Sequence, residues 1–123
     1  MVEEPGAVLD TARLASLVEE VGDAGIVRAA VATFVDEVPL RLDGISAALA
    51  GDDLDHVRSA AHALGSPAAM LGAVAVRTST RALDDAAAQG RVEALRPLSR
   101  RVASDAARTV AAMRAYLGAA GPS

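Results

Sequence analysis

One histidine stands in a run of small residues, AAHALGSPAAMLGA, at positions 60–73. A neutral imidazole nitrogen near pH 7 can attack an electrophile, hold the transferred group and release it again. On a helix, the neighbours of His62 three, four and seven positions away are Asp55, Arg58, Ser59, Gly65, Ser66 and Ala69. One is acidic, one is cationic and four are small. Such a set leaves a clear approach to the ring and keeps one cation at hand. Gly65 costs about 1 kcal/mol in a helix relative to alanine, and Pro67 leaves the Ala63 carbonyl without its amide partner. A purely structural helix gains nothing from these two, and sites are where a sequence is expected to break local rules.

Other groupings carry less chemistry. His56 is six residues before His62, about 240° away around a helix, so the two histidines do not share a face. His56 with Asp52, Asp53 and Asp55 has metal-ligating types, but acids in a first helical turn are already explained by capping and the helix dipole. No metal site is expected. Asp84–Asp85 and Glu19–Glu20 read as solvated helix faces. Arg77 and Arg81 lie four apart and could frame a site on His62 or a docking surface. Leu40 falls on the opposite side of its helix from Val38 and Leu42, roughly level with His62, and is a candidate apolar docking residue. There is no Ser–His–Asp pattern and no glycine-rich phosphate loop.

The elements that must position His62 are helical. Asp10 is an N-cap for a short first segment with Leu14, Leu17, Val18 and Val21 on one face, ended by Gly22. Asp23 caps the second, whose stripe is Val27, Ala30, Val31, Phe34, Val38, Leu42, Ile45 and Leu49. Pro39 inside it is expected to kink or break the helix. Gly51 and Asp52 form the next turn and cap. The third segment carries Leu54, Val57, Ala61, Leu64, Ala68 and Leu71, with a break at Gly72. The fourth carries Ala73, Val76, Thr80, Leu83 and Ala87, and the fifth Leu95, Leu98, Val102, Ala106, Val110, Met113 and Leu117. Pro97 fits best in a first turn, so the fifth helix is expected to begin later than its apolar pattern. Short connections between long amphipathic helices predict an all-α fold, an up-down-up-down four-helix bundle with a short N-terminal capping helix. Residues 1–7 and 118–123 read as flexible tails around a single domain at 8–117.

Composition agrees. The chain of 123 residues is 52% hydrophobic, with Phe34 and Tyr116 its only aromatics, so its core is aliphatic and alanine-rich. It has no cysteine, which excludes disulfides and thiolate metal sites. All twelve basic residues are arginine, and the net charge of −4 argues against nucleic acid or an anionic membrane as partner. No signal pattern or transmembrane stretch is visible, so the cytoplasm is the expected compartment.

Over about 110 residues the chain resembles the histidine-containing phosphotransfer (HPt) domain family. That family's segment runs loosely A-H-x-L-K-G-S-x-x-x-L-G-A, and Ala61, His62, Leu64, Leu71, Gly72 and Ala73 match it in register. VLD at 8–10, VGD at 21–23, Phe34 and the Leu42, Ile45 and Leu49 stripe are similar to the family's opening and second helix. The resemblance implies a phosphocarrier in which His62 takes a phosphoryl group, through Nε2, from a receiver-domain aspartate and passes it to another. It implies no kinase activity and no cofactor of its own, with Mg²⁺ supplied by the receiver. The implied partners are response-regulator receiver domains, with a hybrid histidine kinase as a further candidate, and the expected state is a monomer. The family's lysine, glycine and serine after the histidine are Gly65, Ser66 and Pro67 here. Arg58 is expected to replace the lysine in part, and Gly65 to keep that side of the ring open. The alternatives are a degenerate HPt-like docking module that carries no phosphate, and a metal- or ligand-binding bundle that would retain metal through dialysis.

Overall fold

The computed structural model describes residues 8–119. Five helices and no strand make up the described residues: α1 (Thr11–Val21), α2 (Ala24–Ala50), α3 (Leu54–Met70), α4 (Val74–Ala88) and α5 (Val92–Ala119). The tail expected at 1–7, and residues 120–123 of the other, lie outside the described residues. Gly118 and Ala119, assigned to a tail from sequence, are instead the end of α5.

Aspartates start the first three helices. Asp10 accepts from the Arg13 amide, Asp23 from those of Gly25 and Ile26, and Asp53 from those of Asp55 and His56, each satisfying amides left unpaired by a helix start. The cap of α3 is therefore Asp53 and not Asp52, which takes the left-handed turn position at φ 61°. At the other end of α3, Gly72 adopts φ 76°, and the Ala73 amide donates back to the Ala68 carbonyl at 2.8 Å. This is the left-handed helix stop that glycine favours.

The prolines do not break their helices. Pro39 lies within α2, Pro67 within α3 and Pro97 within α5, which starts at Val92 rather than later. Pro39 and Pro97 are exposed, so their rings meet solvent. The buried stripes on either side of each proline then hold the helix together against the loss of one backbone bond.

Consecutive helices α2 to α5 pack pairwise and α5 returns to α2, while α1 packs on α2. The enclosed core is aliphatic, with Val31, Leu64, Ala68, Val76, Leu83, Val102 and Met113 at its centre. Burying each of the larger side chains contributes roughly 1.5–3 kcal/mol before entropy. The expected stripes are fully or partly buried, except that Val21 and Ala30 face solvent. α1 is anchored at its start: the Asp10 amide donates to the Gly72 carbonyl at 2.7 Å, and Arg13 Nε to the Met70 carbonyl at 3.2 Å. The chain entering α1 is thus tied to the turn between α3 and α4.

Candidate functional site

Ala61 and Leu64 point into the core of α3, which turns the intervening His62 outward; its side chain is 65% exposed. His62 forms one wall of a groove between α3 and α4. Gly65, Ser66 and Ala69 continue that wall, and Arg77, Thr80, Arg81, Asp84 and Asp85 form the opposite one. Arg58 and Ser59, with Asp55, border a shallow depression on the other side of His62. Arg58 and Ser59 share one depression with His62, and Gly65, Ser66 and Ala69 share the groove. Arg77 and Arg81 are exposed and share its groove.

Leu40 is elsewhere. It is exposed and lines a second groove, between α2 and α3, together with Ser59 and Ala63. The groove that His62 lines carries Arg77, Arg81, Asp84 and Asp85, and the groove that Leu40 lines does not include the ring.

Asp84 does not belong to a solvated face, as its sequence context suggested. Its side chain is only 16% exposed, Oδ1 accepts a hydrogen bond from Arg58 Nε at 2.8 Å, and Oδ2 stands 3.2 Å from His62 Nε2. One carboxylate thus connects the histidine to the cation one turn before it. The hydrogen bond to Asp84, and then its charge, raises the Arg58 pKa above its ordinary value, with smaller contributions from Asp55 and Asp85. Arg58 is a permanent cation beside the ring. The sequence signal for Asp84 was available: Arg77, Arg81 and Asp84 follow one another at helical spacing on α4. What was missing was the axial offset of α4 against α3.

Gly65, which lines the groove beside His62, also has a packing reason to be glycine. A Cβ there would lie 2.6 Å from Thr80 Oγ1 and 3.3 Å from Thr80 Cβ. Gly65 is where α4 closes on α3, and Thr80 fills the space a side chain would need. Thr80 itself is buried and donates to the Val76 carbonyl at 2.8 Å, so it is fixed to its own helix. The family's lysine has no room at this position unless Thr80 shifts.

His56 lines the groove between α2 and α3 rather than that of His62, and its neighbour Asp53 is committed to capping, with Nδ1 3.9 Å from Asp53 Oδ2. Among the described residues, no three His, Cys, Asp or Glu side chains converge as a metal site would require.

A profile described as Hpt domain matches residues 29–119. Among solved structures, the chain is similar to the crystal structure of histidine-containing phosphotransfer protein B (HptB) from Pseudomonas aeruginosa PAO1. The TM-score is 0.83 at 24% identity, covering 92% of this chain and 96% of that one. This likeness is one of fold. No curated protein matches the chain.

Proposed function

The chain belongs to the Hpt domain family, a phosphotransfer-type module of two-component signalling, and on that footing we propose that it is a phosphorelay carrier working through His62. The observation that supports this most is the setting of the ring. His62 is exposed on the outer face of a helix whose inner face is locked in the core, with three arginines around it. Phosphoryl transfer depends chiefly on positioning and on neutralising charge, so a nucleophile on a rigid helix suffices when the partner supplies the rest. In this reading a receiver domain contributes the acyl phosphate and Mg²⁺, and His62 Nε2 attacks the phosphorus. The electron pair returns to the receiver's aspartate, and the ring passes the group on to a second receiver. The protein needs no cofactor of its own and has no autokinase activity.

The scaffold is read as an up-down-up-down four-helix bundle, α2 to α5, capped by α1. Support comes from the closed cycle of helix contacts and from the Arg28 side chain near the start of α2, which donates to the Leu117 carbonyl near the end of α5 at 3.0 Å. The domain runs from residue 8 to the end of α5 at Ala119, acts as a monomer in the cytoplasm, and meets receiver domains, with a hybrid histidine kinase as a further partner. In this reading it meets neither nucleic acid nor an anionic membrane, as its net charge of −4 suggests. Arg77 and Arg81, which share the groove of His62, and Leu40, in the neighbouring groove between α2 and α3, are assigned in this reading to the docking surface.

The test is transfer of label from a panel of phosphorylated receivers, with acid-labile, alkali-stable label on His62 as the expected result. A second reading, a docking module that carries no phosphate, draws on the closed space at Gly65, where the family's lysine would stand. Binding of a receiver without transfer of label would select it.

Arg58 gives a further expected result. Arg58→Ala removes the cation paired with Asp84 and shortens the phosphohistidine half-life by roughly three- to tenfold, the scale of one charge interaction at a partly exposed site. Equal half-lives for the two proteins would remove Arg58 from the site.

A further inference from the structure

The contact between Asp84 and Nε2 has no part in the transfer described above. We propose that Asp84 is a cover on the reactive nitrogen of His62, which must withdraw before Nε2 takes a phosphoryl group and which repels that group once it is there. The inference rests on the reading of His62 as the phosphoryl acceptor and adds a control on that acceptor.

Three observations carry it. Oδ2 stands 3.2 Å from Nε2, in space that phosphoryl oxygens on that nitrogen would have to enter. A carboxylate is an acceptor only, so it favours the proton on Nε2 and leaves the lone pair on Nδ1, the wrong arrangement for attack through Nε2. Asp84 is also held in place, being mostly buried and tied through Oδ1 to Arg58 at 2.8 Å. That same tie gives the carboxylate somewhere to remain when Oδ2 leaves the ring.

The transfer then balances as follows. Asp84 withdraws from Nε2, and the ring proton moves through solvent to Nδ1. The Nε2 lone pair forms the N–P bond as the P–O bond to the receiver's aspartate breaks, and that electron pair leaves on the aspartate carboxylate. The ring loses its Nδ1 proton to water. The phosphoryl group now faces Asp84 at close range, while Arg77 and Arg81 line the same groove and offset part of the repulsion. The cover slows loading and makes the loaded group easier to give away.

The test uses phosphoramidate as the donor, so no receiver is involved. Nε2 attacks its phosphorus, the P–N bond breaks and ammonia leaves. His56, whose side chain is 75% exposed, is the reference within the same molecule. The rate at His62 relative to His56 is read by peptide mapping in wild type, Asp84→Asn and Asp84→Ala, with helical content checked by circular dichroism. Asp84→Asn keeps the size of the side chain and removes its charge. Both variants are expected to raise the ratio about tenfold, the effect of ~1.4 kcal/mol of repulsion, and to lengthen the phosphohistidine half-life at His62. An unchanged ratio overturns the cover. A lower ratio overturns it too, because Asp84 would then be assisting the attack. Failure of every receiver to label wild type would remove the carrier reading, while the phosphoramidate ratio still decides the role of Asp84.

Discussion

His62→Ala leaves no acid-labile label on the protein after incubation with any phosphorylated receiver that labels wild type. The loss is complete because His56 is six residues away on another face and outside the arginine-lined groove. The fold survives the change. The His62 side chain is mostly exposed, Ala61 and Leu64 keep the core face of α3, and alanine is the best helix former. Stability should move by less than about 0.5 kcal/mol, as for most surface substitutions. Asp84 keeps its hydrogen bond to Arg58, so no buried carboxylate is left unpaired. Thermal melting and receiver binding should both match wild type while transfer is gone. His56→Ala is the paired control and keeps its label. Label remaining on His62→Ala would place the phosphoryl group on another residue and end the assignment.

Gly65→Lys, which restores the residue the family carries there, is expected to damage the protein rather than improve it. The new Cβ would meet Thr80 Oγ1 at 2.6 Å, closer than such atoms can stand. Thr80 cannot turn aside cheaply, because its hydroxyl is buried and bonded to the Val76 and Arg77 carbonyls. Overpacking of this kind costs roughly 1–3 kcal/mol. Replacing a mid-helix glycine returns up to about 1 kcal/mol in the other direction. With the full return, the net loss reaches about 2 kcal/mol, a fall in Tm of up to about 8 °C for a domain of this size. Gly65→Ala should show most of the same loss, since the clash begins at Cβ. Combining Gly65→Ala with Thr80→Ala should recover part of it, with a coupling of about 0.5–3 kcal/mol between touching residues. A Tm equal to or above wild type for Gly65→Lys would mean that α4 yields at no cost, and the close approach would not explain the glycine.

These two residues mark how far the sequence could be read. The outward position of His62 was legible because it lies one residue past Ala61, and a helix turns about 100° per residue. Its small neighbours followed from the same spacing. The stripes of α3, α4 and α5 were legible because apolar residues at threes and fours commit a helix face to the core. The aspartates at helix starts were visible too, although the choice between Asp52 and Asp53 depended on which one took the turn. Pro97 misled about the start of α5, since a missing amide is a local penalty and the buried stripe around it outweighs it.

The chain by itself determined five helices, their inner faces and an exposed histidine among small residues. Tertiary structure decided that Asp84 meets Nε2, that Arg58 pairs with Asp84, and that Gly65 is glycine because Thr80 stands against it. The physical reason is register. Hydrophobic periodicity fixes how each helix is rotated towards the core, but not how far it slides along its neighbour. A slide of one residue, about 1.5 Å, would carry the Asp84 carboxylate away from the ring and Thr80 away from the glycine. That offset is set by the interlocking of side chains across α3 and α4 and by the turn at Gly72, and neither can be read from one helix alone.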